Sequence, residues 1–384
     1  MGGAGVARLG LAVFGLALVV RLCFLAVTPP PQAADSRDYD GLAQRLLGGQ
    51  GYVTVHGDPT SRRPPGYALF LAGIYALLGP GTTGVGVVQA VLDATTCLLV
   101  YLLGRRIFGE RVGVAAGGLC ALSLGLVAAA RMVLAESLLA FLVVVSAWLL
   151  HTGLARPSAL ALAGAGVALG LGTLTKGSVV LLPVLVGWVV WRSSGGARRV
   201  AVRNWAIVLV GFGLTLLPWV VRNYVVHGRF VLVATQMGQV IYSSHNPPQG
   251  KIFGVYTRNE TSRRIRSTLP EADQSRAFLA ETARHLREHP ETLPRVMILK
   301  VVYFVSPIDW ETIPGSGVVN FSFLFGAPFA LAGLWRARGY GWPSDLLITM
   351  LAGFLLMALL TYGSPRLRLP AWRRRPSRPF RPTR

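Results

Sequence analysis

Long apolar runs separated by short polar segments dominate this sequence. They fall at about 9–27, 83–103, 112–130, 132–151, 158–175, 178–191, 205–221, 319–335 and 344–362. Runs of about 18 or more residues with few charges are long enough to cross a bilayer as helices. Two shorter runs, 67–79 and 296–306, fall short of a span and read as interfacial or re-entrant helices. The first run, from Leu9 to Val27, contains only Arg21 as a charge. It exits through Thr28-Pro29-Pro30-Pro31 without a small-x-small cleavage site, so it reads as a retained span and not as a signal peptide.

Charge sets the expected orientation. With both short runs kept out of the count, Arg105, Arg106 and Arg111 share one side with Arg192, Arg198, Arg199, Arg203, Arg336 and Arg338. Cytoplasmic loops are the basic ones, so the N-terminus is expected inside, with nine spans. Two polar segments, 28–82 and 222–295, then lie outside. The chain divides into an N-terminal transmembrane region (1–221) with its first external loop at 28–82, and an external loop or small subdomain (222–295). A C-terminal transmembrane region (296–370) and an Arg/Pro tail (371–384) follow. The fold class expected is an all-α polytopic membrane protein, a helix bundle with external loops and juxtamembrane helices. An odd number of spans leaves the basic tail outside, against the charge rule. The expectation is therefore that the natural chain continues into one more span, this end being a truncation or frameshift.

Composition sharpens this picture only in part. The chain has 384 residues, 52% hydrophobic, with a formal net charge of +22. The basic residues sit between apolar runs and do not form one stripe, which argues against nucleic acid and for a lipid bilayer as partner. Cys23, Cys97 and Cys120 all lie inside apolar runs and read as small core residues.

Candidate chemistry gathers at the outer face. Asp35, Asp38 and Asp40 crowd six residues after the first span, and Arg62-Arg63-Pro64-Pro65-Gly66-Tyr67 follows. Asp35 and Tyr39 share a face if that stretch is helical; the plain alternative is that Asp35 caps a helix. Glu136, Lys176 and Arg222 fall near outer span ends, where snorkelling and interhelical hydrogen bonds are the plain alternatives. Asp93, mid-span, reads as a structural partner to nearby polar groups. His285 and His289 have the spacing of two metal ligands but no evident third, so they read as a solvated face. Gly164 to Gly172 reads as small-residue packing between helices.

The ordered motifs carry a resemblance. They are Asp35-x-x-x-Tyr39, Gly49-x-Gly51-Tyr52, Arg63-Pro64-Pro65-Gly66-Tyr67, Leu134-Ala135-Glu136-Ser137, Leu174-Thr175-Lys176, Pro218-Trp219-x-x-Arg222-Asn223 and Ser364-Pro365-Arg366-Leu367-Arg368-Leu369-Pro370. The chain resembles the GT-C class of membrane glycosyltransferases, specifically family 39, which includes protein O-mannosyltransferases and has the lipid A aminoarabinose transferases as close relatives. It departs from the pattern at Ser36, where many relatives carry a second acid, and after Pro370, where a final helix is expected.

The resemblance implies transfer of a sugar from a polyprenyl-phosphate donor to a protein, glycolipid or wall-glycan hydroxyl, with inversion, outside the plasma or inner membrane. It implies Asp35 as general base with Asp38 as fallback, and Glu136 as a further catalytic group or metal ligand. Arg63, Lys176, Arg222, Arg366 and Arg368 become the donor-phosphate candidates, with Tyr39 and Tyr67 positioning substrate. A divalent metal is an option that the sequence does not require. A transporter or flippase is the competing class, but the two halves show no internal repeat and the candidates cluster at one face, away from the midplane. A non-catalytic relative that binds polyprenyl phosphate is the third reading.

Overall fold

A computed structural model describes residues 3–29, 34–245, 259–306, 308–309, 318–319, 333 and 338–361. The chain opens with α1 (Gly3–Val27), α2 (Ala34–Leu47), α3 (Pro65–Leu78) and α4 (Thr82–Phe108). There follow α5 (Glu110–Ala121), α6 (Leu124–Arg131), α7 (Glu136–Ala155), α8 (Ala159–Thr175), α9 (Leu182–Ser193) and the long α10 (Arg198–His227). The later part contains α11 (Met237–His245), α12 (Glu260–Thr268), α13 (Glu271–Glu288) and α14 (Thr292–Val305). A two-residue antiparallel pairing of Ile308–Asp309 with Val318–Val319 precedes α15 (Trp342–Leu360).

The nine apolar runs resolve differently from the expectation. Among the described residues, five helices (α1, α4, α7, α10 and α15) have the length and apolarity of a span, or six with α5–α6 taken as one bent unit. That pair breaks at Leu122–Ser123 and turns by 47°. The runs at 158–175 and 178–191 become α8 and α9, only 17 and 12 residues long. The run at 319–335 and the tail lie outside the described residues. The two short runs form α3 and α14, each 14 residues. The protein is a multi-pass helical membrane protein.

Small residues decide how closely the helices approach. A Cβ on Gly166 in α8 would stand 2.1 Å from the Val208 carbonyl of α10, and one on Gly211 would stand 2.4 Å from the Ala163 carbonyl. Without a hydrophobic drive inside lipid, such backbone-to-backbone contact is what holds membrane helices together. The expected packing role of Gly164 to Gly172 is met.

A buried ion pair and its hydrogen bonds join four further helices. Arg21 of α1 has no solvent exposure, and its Nε lies 3.5 Å from Asp93 Oδ2 of α4. Its Nη1 donates to the Ala17 and Ala121 carbonyls at 3.0 and 3.1 Å. Ser137 Oγ of α7 donates to the same Asp93 oxygen at 3.1 Å. Asp93 is thus structural, as expected. Cys97 and Cys120 have their sulfurs 3.4 Å apart and remain free thiols.

Gly166→Val is expected to push α8 off α10 and lower the melting temperature in detergent, overpacking costing about 1–3 kcal/mol. A fluorescence thermal-shift measurement checks this; an unchanged melting temperature refutes the close-contact account.

Candidate functional site

The polar segment after α1 folds as α2, so Asp35 and Tyr39 do lie one helical turn apart. Asp35 sits within the first turn of α2. Tyr39, Leu42 and Ala43 turn inward against α3. Tyr39 meets Tyr67 edge-on, with ring centroids 5.0 Å apart. Burial pushes the Tyr39 hydroxyl up to about 12, so it stays a neutral phenol at ordinary pH.

The Arg63-Pro64-Pro65-Gly66-Tyr67 turn is placed by its own chemistry. Pro64 is extended and Pro65 starts α3, where a missing N–H costs nothing. A Cβ on Gly66 would stand 2.8 Å from the backbone of Leu174 and Thr175, at the end of α8. Only glycine lets the turn lie flat on the helix end that presents Lys176. Tyr52 Oη donates to the carbonyls of Arg63 and Pro64, both at 3.1 Å. Tyr67 Oη donates to Gln89 Oε1 at 2.9 Å. Gln89 Nε2 in turn donates to the Ala130 and Met132 carbonyls at 3.1 and 2.8 Å. Tyr67 is buried and fixes the loop that leads into Glu136, so it acts on the framework and does not line the cavity.

The charged groups meet as pairs. Arg63 Nη2 donates to Asp35 Oδ1 at 2.7 Å and to Asp38 Oδ2 at 2.8 Å. Lys176 Nζ donates to Glu136 Oε1 at 2.9 Å. A cavity of about 170 Å³ lies between these pairs. Its lining includes Asp35, Tyr39, Arg63, Glu136, Lys176 and, from α11, Ser244. That is room for several waters or one small polar head. Asp38 does not line it, and its side chain is 55% exposed against 34% for Asp35.

Arg222 requires a correction of place. Its Nη1 donates to the Thr60 carbonyl at 2.8 Å and to Ser61 Oγ at 2.7 Å, and its Nη2 to the Tyr52 carbonyl at 3.0 Å. The guanidinium lies over the Trp219 ring, 4.9 Å from its centroid. Its fork is taken up in holding the external loop and it does not line the cavity. Trp219 Nε1 donates to the Val233 carbonyl at 2.7 Å, which fixes another stretch of cavity wall. Arg366 and Arg368 lie outside the described residues.

Among the described residues no group of three or more His, Cys, Asp or Glu stands close enough to hold a metal. Glu136, the metal-ligand candidate, is paired with Lys176. The rings of His285 and His289 lie 5.1 Å apart at the end of α13.

Lys300 went unnoticed in the sequence. It is a lone lysine within the apolar run 296–306, which was the available signal. It is fully buried. Burial pushes its ammonium down to about 7. Its Nζ lies 2.9 Å from His245 Nε2 of α11. Burial first, and the Lys300 charge second, push the His245 ring down to about 4, so the imidazole is neutral.

The helix bundle, with its loops gathered over one charged cavity, has the GT-C membrane fold. Two structures of the oligosaccharyltransferase of Archaeoglobus fulgidus share it, both at 15% identity. The apo form has a TM-score of 0.55, covering 93% of this chain and 50% of that one. The form in complex with an inhibitory peptide and a dolichol-phosphate has a TM-score of 0.52, covering 92% and 49%. Residues 62–221 match the sequence profile of the dolichyl-phosphate-mannose-protein mannosyltransferase family. The chain is also 32% identical over 222 residues to undecaprenyl phosphate-alpha-4-amino-4-deoxy-L-arabinose arabinosyl transferase 2 of Pseudomonas fluorescens. That match covers 55% of this chain and 36% of the relative, so the chain spans about a third of the relative's length.

The Glu136–Lys176 pair is expected to show coupling. Lys176→Met leaves a largely buried carboxylate without its cation and should destabilise by about 3 kcal/mol or more, whereas adding Glu136→Gln should recover much of the loss. Thermal unfolding of the two single variants and the double variant measures this; additive losses refute the pairing.

Proposed function

We propose that this protein is a glycosyltransferase that moves a monosaccharide from a polyprenyl-phosphate donor to an acceptor hydroxyl at the extracytoplasmic face of the membrane. The observation that carries the reading is the cavity in which Asp35, paired to Arg63, faces the Glu136–Lys176 pair. Support comes from the relatives, whose names specify undecaprenyl phosphate-linked aminoarabinose and dolichyl-phosphate mannose as donors. The donor sugar is accordingly a pentose or hexose.

The chemistry follows from charge. Arg63 bridges Asp35 and Asp38 and so holds Asp35 in place at the cavity, where it can receive a proton. As the acceptor oxygen attacks the anomeric carbon, its proton passes to Asp35. The bond from that carbon to the phosphate oxygen breaks, and the electron pair leaves with the lipid phosphate. Attack from the face opposite the phosphate inverts the anomeric centre. Cations near the cavity stabilise the charge growing on the phosphate, an effect strengthened where water is scarce. Lys176 supplies one such charge while orienting Glu136, which is placed to position the acceptor. No step calls for a metal.

Asp35→Asn, assayed in proteoliposomes with radiolabelled undecaprenyl-phosphate-linked sugars, is expected to lower transfer by about 10²–10⁴-fold, the usual contribution of a general base. Asp38→Asn, whose carboxylate lies outside the cavity, should lose far less. Equal losses would move the base assignment away from Asp35; unimpaired transfer by Asp35→Asn would overturn it.

A further inference from the structure

Behind the cavity wall stands a cation that, among the described residues, no carboxylate neutralises. Arg63 shares its charge with Asp35 and Asp38, and Lys176 shares its charge with Glu136. Lys300 differs. Its Nζ donates to the Leu359 carbonyl at 2.8 Å, to His245 Nε2 at 2.9 Å and, more weakly, toward Ser244 Oγ at 3.4 Å. Each of these acceptors is neutral. His245 Nδ1 lies 2.9 Å from the Ile241 carbonyl, which suits the tautomer with its proton on Nδ1 and leaves Nε2 to accept from the lysine. Among the described residues Lys300 has no acidic partner.

A fully buried lysine without a counter-ion is costly to charge, so it gives up its proton more readily than a free one, and a charged group in such a place is ordinarily paired. Its place shows what could complete it. Ser244 lines the cavity, and so do Met357 and Thr361 from the end of α15. Lys300 lies directly behind Ser244 and also binds the α15 carbonyl of Leu359. It therefore ties three separate elements, α11, α14 and α15, into one wall, and the charge lies one hydroxyl away from the open space. An apolar residue of similar length would pack the same gap with no desolvation cost, so packing alone does not account for a lysine.

We propose that the wall formed by Ser244, with Lys300 behind it, is a seat for the phosphate of the lipid-linked donor. The inference rests on the glycosyl-transfer reading and deepens it. The Ser244 hydroxyl donates to a phosphate oxygen, releasing its bond to the Ile241 carbonyl at 3.0 Å. The ammonium adds to the charge of Lys176, which is shared with Glu136. As the bond to the sugar breaks, the negative charge growing on the departing phosphate meets that cation. His245 and Leu359 position the lysine and do not themselves touch the donor. Lys300 is in this sense a positioning residue, acting on the ligand through its field and through Ser244.

The test is binding, measured by isothermal titration on the full chain in nanodiscs, with undecaprenyl phosphate, undecaprenol and inorganic phosphate as separate probes. Lys300→Met is expected to weaken undecaprenyl phosphate by about 10–100-fold, the size of loss seen on truncating a buried charged partner. Ser244→Ala should weaken it by up to about tenfold. Undecaprenol should bind all variants equally. Melting temperatures are read in parallel, and Ser244→Ala, a small and conservative change, keeps the test open if Lys300→Met does not fold. Unchanged undecaprenyl phosphate affinity in the folded variants overturns the proposal, as does an equal loss for undecaprenol, which would mark a merely structural wall. Inorganic phosphate binding as tightly as the lipid, with the same dependence on Lys300, would assign the seat to a free anion instead. Absence of undecaprenyl phosphate binding by the unmodified protein would sink the donor reading itself, and this proposal with it.

Discussion

Charges placed at the edge of a membrane bundle must be paired or they drive the structure apart, and the bridge from Arg63 to two carboxylates answers that constraint here. One Nη atom meets Asp35 at 2.7 Å and Asp38 at 2.8 Å. The bridge joins the turn before α3 to the first two turns of α2. It places two carboxylates against one guanidinium beside a largely apolar bundle, and it turns a polar loop into one wall of a cavity. Without it, two acids three residues apart would repel each other on the same face of α2.

Much of the remaining structure exists to hold that turn still. Gly66 lets it rest on the end of α8, Tyr52 takes its carbonyls, and Arg222 grips the loop just ahead of it. Under it lies an aromatic layer of Tyr39, Tyr67, Tyr52 and Trp219, packed with Leu42, Leu71 and Leu216. Aromatic rings of this kind bury large areas while their hydroxyls and indole N–H reach backbone acceptors. Deeper in the bundle the Gly166–Gly211 crossing and the Arg21–Asp93 pair set the helix spacing on which these outer contacts rest.

The sequence made the site legible where chemistry and local periodicity agreed. Asp35 and Tyr39 read correctly as one helical face, and Glu136 and Lys176 stand at the ends of α7 and α8, where they border the cavity. Asp93 was recognisable as structural because an acid within an apolar run needs a partner, although Arg21 could not be singled out as that partner. Arg222 was misplaced because a cation at a span end looks the same whether it faces a ligand or a loop carbonyl; only the fold of residues 48–64 distinguishes the two. Lys300 escaped notice because its significance lies in the His245 ring and the Leu359 carbonyl, which only the fold brings beside it. The span count differed because runs of similar hydropathy became helices of 12 to 30 residues, one pair of them broken.

Glu271 gives the outer part of the molecule a mechanical link to the inner. It opens α13, and its carboxylate receives Thr60 Oγ1 at 2.6 Å, the Ser61 amide at 2.7 Å and Thr235 Oγ1 at 2.7 Å. Ser61 is two residues ahead of Arg63 in the chain. The start of α13 is therefore joined, through Ser61 and the short stretch that follows it, to the guanidinium that bridges Asp35 and Asp38. Glu271 thus anchors the start of α13 to the loop that carries Arg63, at one wall of the cavity.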